Sequence, residues 1–296
     1  MPRSISKTPK ELSLDKRLHS IIEDRTSGAA VIEGGILGLF EKIIRIHKKH
    51  SPRHLRRAIV KIKKRFSAMA NIMNLVIFTE KILEKKDVEY LSEAIKGYKE
   101  NIEHERGLTV TRAARKIKSY DLIFTLSGSS LILKAIIEAG NLGWRGGVKI
   151  AESRPKNEGT ILASDLARLG IPVTLGVDAN MPDLIKNSNA IFLGADAVTQ
   201  TYFVNKTGSG IALEFGSKYS KPVFIIADRS KFISNRTYRF IPDSNPPNEI
   251  ISRKTRNLEI LNNYFEKIAP RKKFRYICGN EIINPDEVKN LLKRGS

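Results

Sequence analysis

Apolar positions in the first third of the chain recur at helical spacing. In "LDKRLHSIIEDR" (14–25), Leu14, Leu18, Ile21 and Ile22 share one face of a helix. In "PRHLRRAIVKIKKRFSAMANIM" (52–73), Leu55, Ile59, Ile62, Phe66, Met69 and Met73 alternate steps of four and three. That rhythm predicts a helical stripe, with its Met and Phe members in the core. Pro52 marks a helix start, with Ser51 as the expected cap. "DVEYLSEAIKGYKENIEHERGLTVTRAARKI" (87–117) predicts another long helix, weakened near Gly107. The first dozen residues are expected to be loose.

After Tyr120 the pattern changes. Apolar runs of about five residues alternate with helical patterns. "DLIFTLS" precedes "SSLILKAIIEAGN", and "VKIAES" precedes "GTILASDLARLG". In the latter helix Ile161 or Leu162, Leu166 and Leu169 share a face, and Gly170 ends it. "IPVTLGVD" precedes "MPDLIKNS", "AIFLGAD" follows, and "KPVFIIADRSKF" supplies a fifth strand. Strands alternating with helices argue for a parallel sheet covered on both faces. The expected organisation is a helical domain over 1–118 and an α/β domain over 119–296.

Polar residues gather at the carboxyl ends of those strands, where open parallel sheets bind ligands. Thr125, Ser127 and Ser129 follow the first strand, and Glu152, Ser153 and Arg154 the second. Asp178 follows the third, Asp196 the fourth, and Asp228, Arg229 and Lys231 the fifth. Together they outline a cleft mixing cations and carboxylates. "SGSS" (127–130) and "KTGSG" (206–210) each open a helix, so their N–H groups are candidates to hold an anion. The alternative for both is N-capping by Ser and Thr. Neither is a Walker motif, and no G-x-G-x-x-G follows the first strand, which argues against a nucleotide dehydrogenase.

Charge adds one element to this picture. The 296 residues carry a formal net charge of +21, and residues 42–79 hold eleven Lys or Arg and no Asp or Glu. Such a block raises nucleic acid, an acidic protein or phosphorylated ligands as partners, against the alternative of a solvated helix face. His47, His50 and His54 lie close together, but surrounding cations argue against a metal site. The single cysteine, Cys278, reads as an inert buried residue, and Trp144 as a structural anchor. No cofactor or metal is expected. With no signal-like or membrane-spanning run, the expected location is the cytoplasm.

The motifs jointly resemble a known family. They are "RFSAMANIMNLV" (65–76), "AESRP" (151–155), "GAD" (194–196) with "NKTGS" (205–209), "IAP" (268–270) and "EIINP" (281–285). The family contains the alpha, beta and delta subunits of translation initiation factor 2B, with ribose-1,5-bisphosphate and methylthioribose-1-phosphate isomerases. The resemblance implies a helical N-terminal domain, a Rossmann-like C-terminal domain and a homodimer or larger assembly. In the isomerases a cysteine after the first strand and the aspartate of Gly-Ala-Asp move protons between aldose and ketose phosphates. By resemblance the aspartate is Asp196, while the cysteine position falls on Ser127, flanked by Leu126 and Gly128 where His or Asn side chains are usual. A serine hydroxyl is far less acidic than a thiol, whose ordinary pKa is about 8.5.

The resemblance therefore implies an initiation factor 2B subunit-like binding protein, with an initiation factor 2 subunit and a phosphorylated small molecule as partners. The alternative is a sugar-phosphate isomerase using Asp196 with Ser127 or a water. The implied ligand-binding set is Arg25, Gly28, Arg65, Ser127, Ser129, Glu152, Arg154, Asp196, Asn205, Lys206 and Lys231.

Overall fold

The computed structural model describes residues 9–24, 27–84, 88–242, 245–253 and 256–293. The chain separates into two compact units, Met1–Ile102 and Glu103–Ser296. The boundary falls inside one long helix rather than at the change of texture after Tyr120.

In the first unit the helical periodicity becomes α1 (Pro9–Glu23), α2 (Ala29–His47), α3 (Ser51–Arg65), α4 (Ala70–Glu84) and the start of α5 (Val88–Ile117). Residues 9–12, expected to be loose, lie within α1; residues 1–8 lie outside the described residues. Ile36, Leu39, Phe40, Leu55, Ile59, Ile62, Phe66 and Ile72 fill the core, all essentially inaccessible. The 52–73 stripe crosses a break. Phe66 leaves helical geometry at φ −116°, ψ 30°, and a turn closed by Met69 N–H on the Phe66 carbonyl (3.0 Å) precedes α4. Ser51 does not cap α3. A 3-10 turn over Lys48–His50 leads in, so His50 is already helical (φ −93°, ψ −3°), and the extended backbone that a side-chain cap needs is absent. The buried Ser51 hydroxyl has no hydrogen-bond partner among the described residues.

The second unit holds the rest of α5, β1 (Leu122–Leu126), α6 (Ser130–Asn141), β2 (Gly147–Ala151), α7 (Glu158–Arg168), β3 (Val173–Gly176), α8 (Met181–Lys186) and β4 (Ala190–Gly194). It continues through β5 (Ala197–Val198), β6 (Phe203–Lys206), α9 (Ser209–Lys218), β7 (Val223–Ile226), β8 (Phe265–Ile268), β9 (Phe274–Cys278), β10 (Glu281–Ile283) and α10 (Val288–Lys293). Seven strands form the main sheet in the order β10-β9-β7-β4-β1-β2-β3, parallel except for β10. β5, β6 and β8 make a small antiparallel sheet that the sequence pattern does not announce.

Alternation along the central strands divides the core. Phe124, Leu126, Ile191 and Leu193 belong to one cluster, and Ile123, Phe192, Phe224 and Ile226 to the other. This is the two-sided burial expected of a Rossmann-type parallel sheet. Phe192 and Phe224 stack at 4.9 Å between centroids. Trp144 anchors as expected, donating from Nε1 to the Tyr120 carbonyl at 2.7 Å. Of the α7 candidates Leu162 and Leu166 are buried, whereas Ile161 and Leu169 are exposed, and Gly170 (φ 76°) stops the helix. Among the described residues no helix is long and apolar enough to cross a membrane.

Candidate functional site

Strand order fixes where a site can form. β1 runs on to β2 and β3 on one side, while β4, β7 and β9 lie on the other, so the winding reverses between β1 and β4. Helices leaving the two strands diverge there and open a crevice at the carboxyl ends. The loop after β1 carries Ser127–Ser129, and the one after β4 carries Asp196. The two loops are in contact: a Cβ placed on Gly194 would come within 2.9 Å of the Ser129 hydroxyl. Ser129 itself caps α6, accepting from Ile132 N–H at 3.4 Å, so this serine takes the capping alternative.

Ser153 holds the next loop in place. Its hydroxyl accepts from Ser127 N–H (2.8 Å) and donates to the Ala151 carbonyl (3.0 Å). The Asp178 carboxylate, after β3, accepts both Ser153 N–H and Arg154 N–H at 2.8 Å each. Three neighbouring loops are thus joined through two polar side chains. Ser127 (φ 65°), Ser153 (φ 65°) and Asn157 (φ 56°) all adopt left-handed backbone. Such conformations are costly for non-glycine residues and concentrate where a loop is shaped for a ligand. The Arg154–Pro155 peptide bond is cis. The Arg154 guanidinium reaches the Glu249 carbonyl at 3.4 Å, and Glu152 contributes backbone hydrogen bonds to Gly176 and Gly159.

Two ion pairs form the charged centre. Lys206 Nζ lies 2.8 Å from Glu158 Oε1, and Lys231 Nζ lies 3.6 Å from Asp196 Oδ1. Both lysines are buried, at 2% and 6% exposure, so each needs its carboxylate. Burial pushes the Asp196 carboxyl above its ordinary value of 3.8; Lys231 and Lys206 oppose the shift and Glu158 adds to it. The same burial, with Tyr202 and Asp196 nearby, raises the Tyr238 phenol. Glu158 keeps a second, buried oxygen, Oε2, with no hydrogen-bond partner among the described residues.

The raised Asp196 value has a signed consequence. A carboxyl whose folded pKa exceeds its unfolded one favours the folded state fully below about 3.8, and this contribution is lost as pH rises through the folded value. Thermal unfolding across pH 4–8 is therefore expected to show the wild type gaining on Asp196→Asn as pH falls. A constant difference would contradict the assignment.

One expectation is revised. The "KTGSG" segment is not an open anion seat. Gly208 N–H and Gly210 N–H both donate to Glu266 Oε1, at 2.8 and 2.9 Å, so a carboxylate from β8 already fills the α9 N-terminus. Asn205 is likewise committed, donating from Nδ2 to the Ser209 hydroxyl at 2.8 Å. Lys206 alone of this segment faces the charged centre, with Tyr264 beneath it at 5.3 Å.

A second network closes around Tyr264. Glu249 accepts from Lys156 (2.6 Å), Asn262 (2.9 Å) and the Tyr264 hydroxyl. Burial pushes its carboxyl up, but these hydrogen bonds outweigh burial and hold it below the ordinary range. Glu158, Glu249, Tyr264 and Glu266 were not singled out in the sequence. Glu158 sits at a helix start, where an acid reads only as dipole compensation, and its lysine lies 48 residues away.

Gly28 and Arg65 belong to the first unit. Gly28 precedes α2, and its carbonyl receives the first turn. Arg65 donates to the Ile22 carbonyl (3.0 Å) and the Asp24 carbonyl (3.4 Å), holding the C-terminal end of α1. Arg25 lies outside the described residues. Among the described residues no group of three or more His, Cys, Asp or Glu could hold a metal ion. His47 and His54 stack ring on ring at 3.5 Å. Cys278 is buried, and burial pushes its thiol up to about 12.

The sequence profile of the Initiation factor 2 subunit family matches residues 27–279. The chain belongs to that family. Its Initiation factor 2 subunit relatives include both branches. Ribose 1,5-bisphosphate isomerase of Pyrococcus furiosus is 26% identical over 196 residues, covering 61% of this chain and 58% of the relative. Translation initiation factor eIF2B subunit alpha of Caenorhabditis elegans is 27% identical over 126 residues, 42% of this chain and 41% of the relative. The matched stretch thus spans about half the length of these curated relatives. The crystal structure of the Pyrococcus horikoshii translation initiation factor eIF-2B superposes with a TM-score of 0.79 at 22% identity, over 92% of this chain and 97% of that one. That likeness establishes the fold of this family member.

Proposed function

We propose that this chain is a binding protein of the initiation factor 2B subunit type, whose crevice holds a phosphorylated small molecule without turning it over. One feature carries the reading: by resemblance, Ser127 falls at the position where the isomerases have their cysteine. Its hydroxyl has no hydrogen-bonded base among the described residues, so nothing activates it. The crevice keeps the means to bind. Lys206 and Lys231 supply buried positive charge, and Arg154 is exposed at the rim. In this reading the macromolecular partner is an initiation factor 2 subunit, the protein is cytoplasmic, and the assembly is at least a homodimer. Ile161, Leu169, Leu175 and Val177, exposed on α7 and at the β3 edge, offer apolar surface for self-association.

A second reading is favoured by one atom. The unpartnered Glu158 Oε2 lies in a site that already contains Asp196. A sugar hydroxyl donating to it would leave two carboxylates around one substrate, an arrangement suited to aldose–ketose proton transfer.

Incubation with ribose-1,5-bisphosphate, followed by calorimetry and by ³¹P NMR, separates the readings. The expected result is saturable binding with no ketose product. Turnover that disappears in Asp196→Asn would overturn the binding-protein reading. Absence of binding to this and other sugar phosphates would remove the small-molecule part of both.

A further inference from the structure

The eleven basic residues of 42–65 divide into two groups. Four are used internally. Lys42 reaches the Ser13 hydroxyl (3.1 Å), Arg56 the Leu83 carbonyl (3.1 Å), Lys63 pairs with Glu80 (3.0 Å), and Arg65 binds the C-terminal end of α1. The other seven are exposed: Arg45 on α2, and six that form one basic surface. Arg53, Arg57, Lys61 and Lys64 lie along one face of α3, and Lys48 and Lys49 sit in the turn before it. All six are exposed, and none has an ion-pair partner among the described residues. The opposite face carries Leu55, Ala58, Ile59 and Ile62, all buried, so the core fixes the direction of the basic face.

We infer that this face of α3 and the turn before it bind the phosphate backbone of RNA, independently of base sequence. From Arg53 to Lys64 the row is about 16 Å long at 1.5 Å rise per residue, enough to meet four or more phosphates of one strand. Protein partners are held by a central apolar or aromatic anchor within a patch depleted of charge. Here the only apolar side chain along the row is Val60, 67% exposed and flanked by cations. Nor does the row carry a Phe, Tyr, Trp, Asn or Gln side chain to stack on or read a base, and its one imidazole, His54, is half-buried and stacked on His47. A uniform cationic strip with neither feature suits a regular polyanion, and backbone contacts position without specifying. The preference for RNA over DNA rests on the proposed function as an initiation factor 2B subunit-like protein, and the DNA arm of the test below checks it separately.

The test uses the full chain and a fluorescently labelled 20-nucleotide RNA of mixed sequence, titrated by anisotropy at several salt concentrations. Binding is expected at 50 mM salt, with log K against log salt falling at a slope of about −3 to −5. The triple variant Arg53→Glu, Arg57→Glu, Lys61→Glu alters only exposed side chains, so circular dichroism is expected to be unchanged. Its affinity is expected to fall more than about tenfold, and its slope to shrink by about 2–3. A charge-matched variant in the second unit, Lys272→Glu, Lys273→Glu, Lys289→Glu, is expected to bind as the wild type does. Three outcomes overturn the inference: no binding at 50 mM salt, equal losses in both variants, or tighter binding to poly-glutamate or the same-sequence DNA than to RNA.

Discussion

Gly159→Ala is expected to destabilise the second unit by more than about 3 kcal/mol, read as a loss of urea midpoint with an unchanged slope. A Cβ at position 159 would lie 1.9 Å from the Ala151 carbonyl oxygen and 2.9 Å from its carbon. Both are backbone atoms at the end of β2, so no side chain can swing aside to relieve the overlap. The glycine is what lets α7 start directly against the strand, with its N–H on the Glu152 carbonyl at 3.1 Å. That start places Glu158 beside Lys206, so any variant that does fold is expected to bind ligand poorly as well. Gly107→Ala provides the contrast. It lies in the middle of α5, where an added Cβ meets nothing within 4 Å, and alanine there is expected to stabilise by about 0.5–1 kcal/mol. The same substitution type should give opposite signs at the two positions. A destabilised Gly107→Ala or an unaffected Gly159→Ala would show that the described packing is wrong.

Asp228→Ala is expected to cost about 3 kcal/mol, the lower end for breaking a buried pair, because Arg106 keeps some solvent contact. Asp228 is 2% exposed and Arg106 17%. Asp228 Oδ2 accepts from Arg106 Nε at 3.1 Å, and Oδ1 accepts from Ser230 N–H at 2.9 Å and from the Ser230 hydroxyl. One carboxylate therefore ties α5 to the turn that carries Lys231 toward Asp196. Asp228→Asn keeps an acceptor for the turn and loses only the charge, so it is expected to fall between wild type and alanine. Chemical denaturation of the three proteins checks that ordering. If alanine and asparagine prove equally mild, the pair contributes nothing and the turn stands on its backbone alone.

Much of this architecture was readable from spacing. The alternation after Tyr120 announces β1 to β4, β7 and their helices, and the strand-end rule puts Ser127, Ser153, Asp178, Asp196 and Lys231 near one another. The failures have physical causes. The 52–73 stripe runs through the Phe66–Met69 turn because hydrophobic spacing records which residues face the core, not whether the backbone between them stays helical. β5 has two residues, and β6 and β8 four each, too short for period-two alternation to stand out. Glu266 looks like an unremarkable strand residue until β8 pairs with β6 in the register Asn205↔Glu266, which carries it to the start of α9. Glycine-rich helix openings suggest an anion site in any sequence; only the tertiary fold reveals that the anion can be a side chain of the same protein.

Cys278 offers a practical handle. It is the protein's one thiol, in β9 between β7 and β10. With its pKa near 12 and its sulfur covered, it is almost entirely un-ionised at neutral pH while the sheet is closed. Alkylation therefore serves as a clock for the second unit. Its rate in native buffer counts how often β9 is uncovered, and mass spectrometry reads one event per molecule without any introduced label. Ligand-dependent slowing of that clock would measure how tightly occupancy of the crevice holds the sheet shut, even for a compound that produces no reaction.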